Sequence, residues 1–149
     1  MNQDKTQIRK RRKARKLALQ AIYQYEIAKT EPSIIEAEFR LFNDMSKVDD
    51  LYFCRLLQGV TANLSDIDAL FSPLIDRAVR ELTLVELAIL RLSTFELKDA
   101  IEVPYRIILD ESVNLAREFG TVDGYRYVNG VLHQLALTLR SIEIKMKHE

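Results

Sequence analysis

Apolar residues recur three and four positions apart along almost the whole chain, and very little interrupts them. That period belongs to helices that bury one face. Only four Gly and three Pro stand among the 149 residues, well below the usual share of about 7% and 5%. So few turn residues argue against an all-β sandwich or barrel. The Rossmann and P-loop glycine fingerprints are both absent, which disfavours the common nucleotide-cradling enzymes. No period-two run of convincing length appears, and there is no internal repeat or low-complexity linker.

The stripes place the elements. A first helix over residues 8–28 carries Ala14, Leu17, Ala18, Ala21, Ile22, Tyr25 and Ala28 on one side, and Pro32 stops it. Ser33-Ile-Ile-Glu36 has the form of a capping box, in which a hydroxyl and a carboxylate satisfy free N–H groups reciprocally. It predicts a short second helix with Ile35, Phe39 and Phe42 inward. Asp49 can cap a third helix, striped by Phe53, Leu56, Leu57, Val60, Leu64, Ile67 and Phe71 and closed by Pro73. Asn63 and Ser65 leave open whether it is broken in the middle. Residues 74–82 are ambiguous, with room for one helical turn. Thr83-Leu-Val-Glu86 is a second capping box, opening a helix to about Leu97 that is apolar on several sides and therefore central. Pro104 suits a first helical position for a helix ending at Phe119, where Gly120 would be a left-handed cap. Thr121 or Asp123 would cap the last helix, which carries Tyr125, Val128, Leu132, Leu135, Ala136 and Leu139. The expectation is an all-α bundle of about six or seven helices forming one domain over residues 1–149. It comprises a basic arm (1–16), an N-terminal subdomain (about 17–72) and a C-terminal subdomain (about 73–149), with a seam near residues 70–83.

Formal charge is zero, 22 basic against 22 acidic groups, but it is unevenly spread. Residues 1–16 hold eight basic groups (Lys5, Arg9, Lys10, Arg11, Arg12, Lys13, Arg15 and Lys16) and one acid, Asp4, a net +7; the rest carries −7. The helix dipole disfavours cations at a helix start, by about 0.3–1 kcal/mol each. Arg9, Arg12, Lys13 and Lys16 also share one face and repel. A polyanion would relieve both penalties, so the arm is expected to be frayed when free and more helical when bound. A solvated face, a nuclear address, an anionic-lipid contact and a protein–protein adaptor with an acidic partner are the competing readings of such a run.

Cys54 is the sole cysteine, so no intrachain disulfide can form, and among apolar neighbours it reads as a small core residue. His133, on an amphipathic helix, and His148, in a charged tail, do not make a metal site with one cysteine. The carboxylates form no acid–base constellation. The chain is therefore expected not to be an enzyme and to need no cofactor. Its N-terminus is charged where a signal peptide needs an apolar run. The longest charge-free stretch near the C-terminus, residues 131–139, is far short of the ~20 that span a bilayer. A cytoplasmic protein with no membrane partner is expected.

Three of the four glycines fall in Phe119-Gly-Thr-Val-Asp-Gly-Tyr-Arg-Tyr-Val-Asn-Gly130. Tyr faces can stack on unpaired bases, and Arg and Asn can read base edges. The structural reading of the same segment makes Gly120 a cap, Gly124 a helix start, Gly130 a point of helix approach, and Tyr125 and Val128 core.

Taken together these segments resemble the NusB family of bacterial transcription antitermination factors. The matching pieces are Arg11-Arg-Lys-Ala-Arg15 leading into Ala18-Leu-Gln-Ala-Ile-Tyr23, then Leu51-Tyr-Phe53, Leu57-Gln-Gly-Val60, Val85-Glu86 and Ala88-Ile-Leu-Arg91. Glu96-Leu97, Val103-Pro-Tyr105, Phe119-Gly and Tyr127-Val-Asn-Gly-Val-Leu132 follow in family order. The resemblance implies two helical subdomains. It also implies binding to the boxA element of nascent RNA, a single strand, together with NusE, a small-subunit ribosomal protein. The pair would act in antitermination complexes on RNA polymerase, including those on ribosomal RNA operons. By the same resemblance Arg11, Arg12, Lys13, Arg15 and Lys16 supply the basic arm. Asp123, Arg126, Tyr127 and Asn129 supply a second RNA surface, and Tyr23 and Glu86 face NusE. Arg80 departs from the acid expected opposite that basic partner. Homodimerisation occurs in the family, and monomer and dimer are both compatible with the resemblance. A related domain precedes RNA methyltransferase domains, but with the chain ending at Glu149 no such domain is expected here.

Overall fold

The arm residues are good helix formers with no breaker among them, and the first helix accordingly starts six residues earlier than the apolar stripe alone predicts. α1 runs over Asn2–Ala28 in the computed structural model, which describes the backbone of residues 2–147 and the side chains of residues 5–146. Eight α-helices and three short 3-10 turns occur among the described residues, with no strand. His148 lies outside them. No described helix is long and apolar enough to cross a membrane.

The chain divides into two compact units, Met1–Asn63 and Leu64–Glu149. In the first, α1 packs against α2 (Pro32–Phe42) and α3 (Asp50–Ala62). Small residues on α1 (Ala14, Ala18, Ala21) face a bulkier set on α3 (Phe53, Leu56, Leu57, Val60), all completely buried. Each large side chain so buried contributes about 1.5–3 kcal/mol. α1 ends where Lys29 takes a left-handed conformation, φ 55°. Asp49 caps α3 as the sequence predicts, accepting from the Tyr52 N–H at 3.1 Å.

Three expectations for this unit fail. Ser33 is not a cap: α2 already begins at Pro32, so Ser33 lies inside its first turn, and no side chain caps the helix. Glu36 instead accepts from the Cys54 thiol (2.6 Å) and the Gln58 amide (3.2 Å) on α3. Phe42, expected inward, is 79% exposed, because it is the last residue of α2 and lies past the end of the buried stripe. Cys54 is half-buried rather than core.

The second unit begins where α3 stops. Asn63 ends that helix, its amide donating to the Gly59 carbonyl at 2.8 Å, and α4 (Leu64–Phe71) starts at once. The division therefore falls at Asn63/Leu64, ahead of the expected seam at residues 70–83. The reason is packing: α4 buries Ile67 and Phe71, packs against α5, and ties to it through Asp68, which Arg91 grips with two bonds of 2.9 and 2.7 Å. Residues 72–83 carry two 3-10 turns, Ser72–Leu74 and Val79–Glu81. The Thr83–Glu86 capping box forms in both directions, each bond 3.1 Å. It opens α5 (Leu84–Asp99). Every residue of α5 from Glu86 to Leu97 except Arg91 is buried, which makes it the central helix of the unit.

Around α5 pack α6 (Tyr105–Phe119) and α7 (Gly124–Leu139), followed by α8 (Ser141–Lys147). α7 is thus not the last helix. Between α7 and α8 the buried Arg140 donates to main-chain oxygens of Leu97 (2.7 Å), Val103 (2.8 Å), Ala100 (2.9 Å) and Glu96 (3.2 Å). It closes the C-terminal end of α5. Glu143 pairs with Arg140 at 3.2 Å and accepts from the Tyr105 N–H at the start of α6. Gly120 is extended (φ −92°) rather than left-handed. A Cβ there would sit 2.6 Å from the Ala116 carbonyl oxygen, so close approach, not φ, calls for glycine. Gly130 faces open space and mediates no helix approach.

Candidate nucleic-acid interface

The arm divides by helical phase. Lys5, Arg9, Arg12 and Lys13 are exposed, and Lys10, Arg11 and Lys16 are partly covered. Arg15 is 3% exposed, because it shares the inward stripe of Ala14, Ala18 and Ile22. Its guanidinium lies over the Tyr52 ring at 5.5 Å, with Arg11 over the same ring at 4.4 Å. Arg15, carried over as an RNA-binding residue, is thus buried in this structure and holds α1 on α3. Arg11 also pairs with Asp49 at 3.5 Å. Gln7 donates to that carboxylate at 3.1 Å, and the Asp49 N–H donates to the Lys10 carbonyl at 3.0 Å.

Arg9 and Lys13, with Lys10 and Lys16, line two shallow hollows of about 380 Å³ each. One is lined by Lys13, Lys16, Gln20, Asp44 and Lys47; the other by Thr6, Arg9, Lys10, Lys13, Ser46 and Lys47. Lys47 belongs to both and escaped the sequence reading, since it stands alone in a 3-10 turn (Met45–Lys47). Asp44 caps that turn, and hydrogen bonds from Ser46 hold its carboxyl below the usual range. Tyr23, farther along α1, is 37% exposed.

In the second unit the residues expected to form one RNA surface face different ways. Arg126 and Asn129 line a groove between α6 and α7, of about 590 Å³, with Asp110, Val113, Asn114, Arg117, Tyr125 and His133. Tyr127, two residues on from Tyr125, turns to the 3-10 region. Its hydroxyl donates to Asp76 at 3.2 Å, and the Arg77 guanidinium lies 4.5 Å over its ring. Burial raises the Tyr127 phenol above its ordinary value, and the Asp76 carboxylate adds to this. Asp123 is exposed at the start of α7 and makes no side-chain cap bond. Glu86, expected against a partner protein, is 7% exposed, and its carboxylate serves the capping box. Its second role, against a partner protein, would use a carboxylate already engaged at its own helix start. Arg80 is exposed in the second 3-10 turn.

Burial, followed by the Glu36 carboxylate, pushes the Cys54 thiol up, the opposite of what a nucleophilic cysteine needs. No group of His, Cys, Asp and Glu among the described residues is placed to hold a metal ion.

These features define an all-α module with one helix face rich in exposed cations. Comparison with known proteins gives its kinship. The NusB family profile matches residues 12–137. Transcription antitermination protein NusB of Legionella pneumophila (strain Corby) is 49% identical over 98% of this chain and 99% of that one. Its counterpart in Pseudomonas savastanoi pv. phaseolicola is 51% identical over 91% of this chain and 82% of that one. The solved structure of T. maritima NusB superposes with a TM-score of 0.76 at 28% identity, over 85% of this chain and 90% of that one. The chain belongs to the NusB family, a family of transcription antitermination factors and not of enzymes.

Proposed function

We propose that this protein binds the boxA element of nascent RNA as a single strand, together with NusE. It would thereby help assemble antitermination complexes on RNA polymerase, including those on ribosomal RNA operons. The observation that carries the reading is the exposed cation face of α1: Arg9, Arg12 and Lys13, joined by Lys16 and by Lys47 from outside the helix. Cations are disfavoured at a helix N-terminus, and phosphates would offset that cost. Arg126, Tyr127 and Asn129 supply further RNA contacts, and Tyr23 faces NusE. The Tyr127 ring carries Arg77 on one face, so a base would stack on the other or displace the guanidinium.

The test is binding to a short boxA-like RNA and a scrambled control, with and without NusE, at two salt concentrations. Tighter binding to boxA that strengthens with NusE supports the reading. Equal, salt-sensitive binding to both RNAs, indifferent to NusE, overturns it and favours a helical adaptor whose arm meets an acidic protein.

A further inference from the structure

Arg117 on α6 and Arg126 on α7 converge on one aromatic ring. Their guanidinium carbons lie 4.6 and 5.6 Å from the centre of the Tyr125 ring, and Arg126 Nε donates to the phenol oxygen at 3.1 Å. The ring attracts each cation, and the phenol oxygen takes one of the donors. Hydrogen bonding from Arg126, with the charge of both arginines, holds the Tyr125 phenol below its ordinary value.

The groove these residues line is built from two facing stripes. Asp110, Val113, Asn114 and Arg117 recur at helical spacing on α6, and Tyr125, Asn129 and His133 do so on α7. Asn114, Asn129 and His133 add further donors, while Asp110 is the one acid among these lining residues. A paired, exposed guanidinium site of this kind suits a tetrahedral oxyanion, which accepts from both planes at once.

We propose that the α6–α7 groove is a phosphodiester-binding site, in which Arg117 and Arg126, held in place by Tyr125, grip one backbone phosphate of the bound RNA. This rests on the RNA-binding reading above and extends it to Arg117 and Tyr125. Arg117 and Arg126 contact the phosphate directly. Tyr125 is a positioning residue that keeps both cations beside one another.

The experiment measures the affinity of the full chain for a boxA-like RNA across a salt series. It compares the unaltered protein with Arg117→Gln plus Arg126→Gln, Tyr125→Leu and Tyr125→Phe, each first checked for native helicity by circular dichroism. The double variant should bind about tenfold more weakly. Its log–log salt slope should be shallower by about 0.7, the value for one phosphate on a single strand. Tyr125→Leu keeps both charges but frees them, and should lose several-fold in affinity. Tyr125→Phe keeps the ring and should stay within about twofold. A double variant with unchanged affinity and slope, while loss of Arg12 and Lys13 still weakens binding, overturns the groove and leaves the RNA reading standing. Weaker binding with an unchanged slope overturns the phosphate assignment. Inorganic phosphate that shifts groove resonances in NMR, with RNA affinity insensitive to both arginines, makes the groove a free-anion site only. No RNA binding by the unaltered protein removes both readings.

Discussion

Arg12 and Arg15 look alike in the sequence and should behave oppositely when removed. Arg12→Ala with Lys13→Ala deletes two charges from the exposed face of α1. If each neutralises one phosphate of a single strand, the log–log salt slope becomes shallower by about 1.4. Between salt concentrations about fourfold apart, RNA binding by the unaltered protein then falls roughly sevenfold further than that of the variant. Surface changes of this kind move stability by no more than about 0.5 kcal/mol. Arg15→Ala acts elsewhere. It removes a buried guanidinium from the Tyr52 ring, and with it a desolvated cation–π contact and the packing of the side-chain stem. The cost is about 2–4 kcal/mol, read as a fall in Tm of roughly 5–15 °C. Fluorescence anisotropy with labelled RNA and thermal melts followed at the helix band separate the two effects. A double variant that melts early, or that keeps the full salt slope, refutes the division of the arm by helical phase. So does an Arg15→Ala protein as stable as the original.

Arg140→Met strips the Leu97 and Val103 carbonyls of the donors described above. At about 1–3 kcal/mol for each buried acceptor left unmade, urea unfolding should show a loss of about 2–6 kcal/mol, and a shift under 0.5 kcal/mol would sink the assignment. Because the Cys54 thiol is held up by burial and by Glu36, its thiolate is scarcer at any given pH. Alkylation near pH 8 should be slower than for a free cysteine and faster in Glu36→Gln; equal rates in the two proteins would count against the contact. Tyr127→Ala should lower discrimination between boxA and a scrambled RNA, as read from the ratio of their Kd values, whereas equal loss for both would make Tyr127 a structural partner of Asp76 and Arg77.

How much of this was legible in the sequence depends on whether a signal was local. The two capping boxes have the same form, but only Thr83–Glu86 is used. Pro32 decides the other: proline favours the first helical position, and once the helix starts there Ser33 is inside it. The burial of Arg15 was also readable, from its place in the stripe with Ala18 and Ile22. Other features had no local signal. Arg140 lies 37 to 44 positions from the carbonyls it serves. Lys47 joins the arm only because its 3-10 turn lies beside α1. Tyr125 and Tyr127 are adjacent in type and spacing, yet a helix turns residues two apart through about 200°, so one meets α6 and the other meets Asp76. That rotation splits a segment which reads as one surface when written out.

Asp49 explains how a helix can begin with so many cations. Its carboxylate caps α3 through the Tyr52 N–H, accepts from Gln7 and pairs with Arg11, while its own N–H holds the Lys10 carbonyl. One residue thus joins the start of α3 to the first three turns of α1. Tyr52 follows on the same turn and takes Arg11, Arg15 and Arg55 on its ring. The repulsion that made a frayed arm the natural expectation is offset from the inward side, by one carboxylate and one aromatic face. The outward cations Arg9, Arg12 and Lys13 stand on the solvent side of the same helix. A polyanion arriving there meets a helix that is already formed. Less ordering entropy then opposes binding than for an arm that must fold on its target, and the spacing of the charges is set by the helix rather than by the RNA.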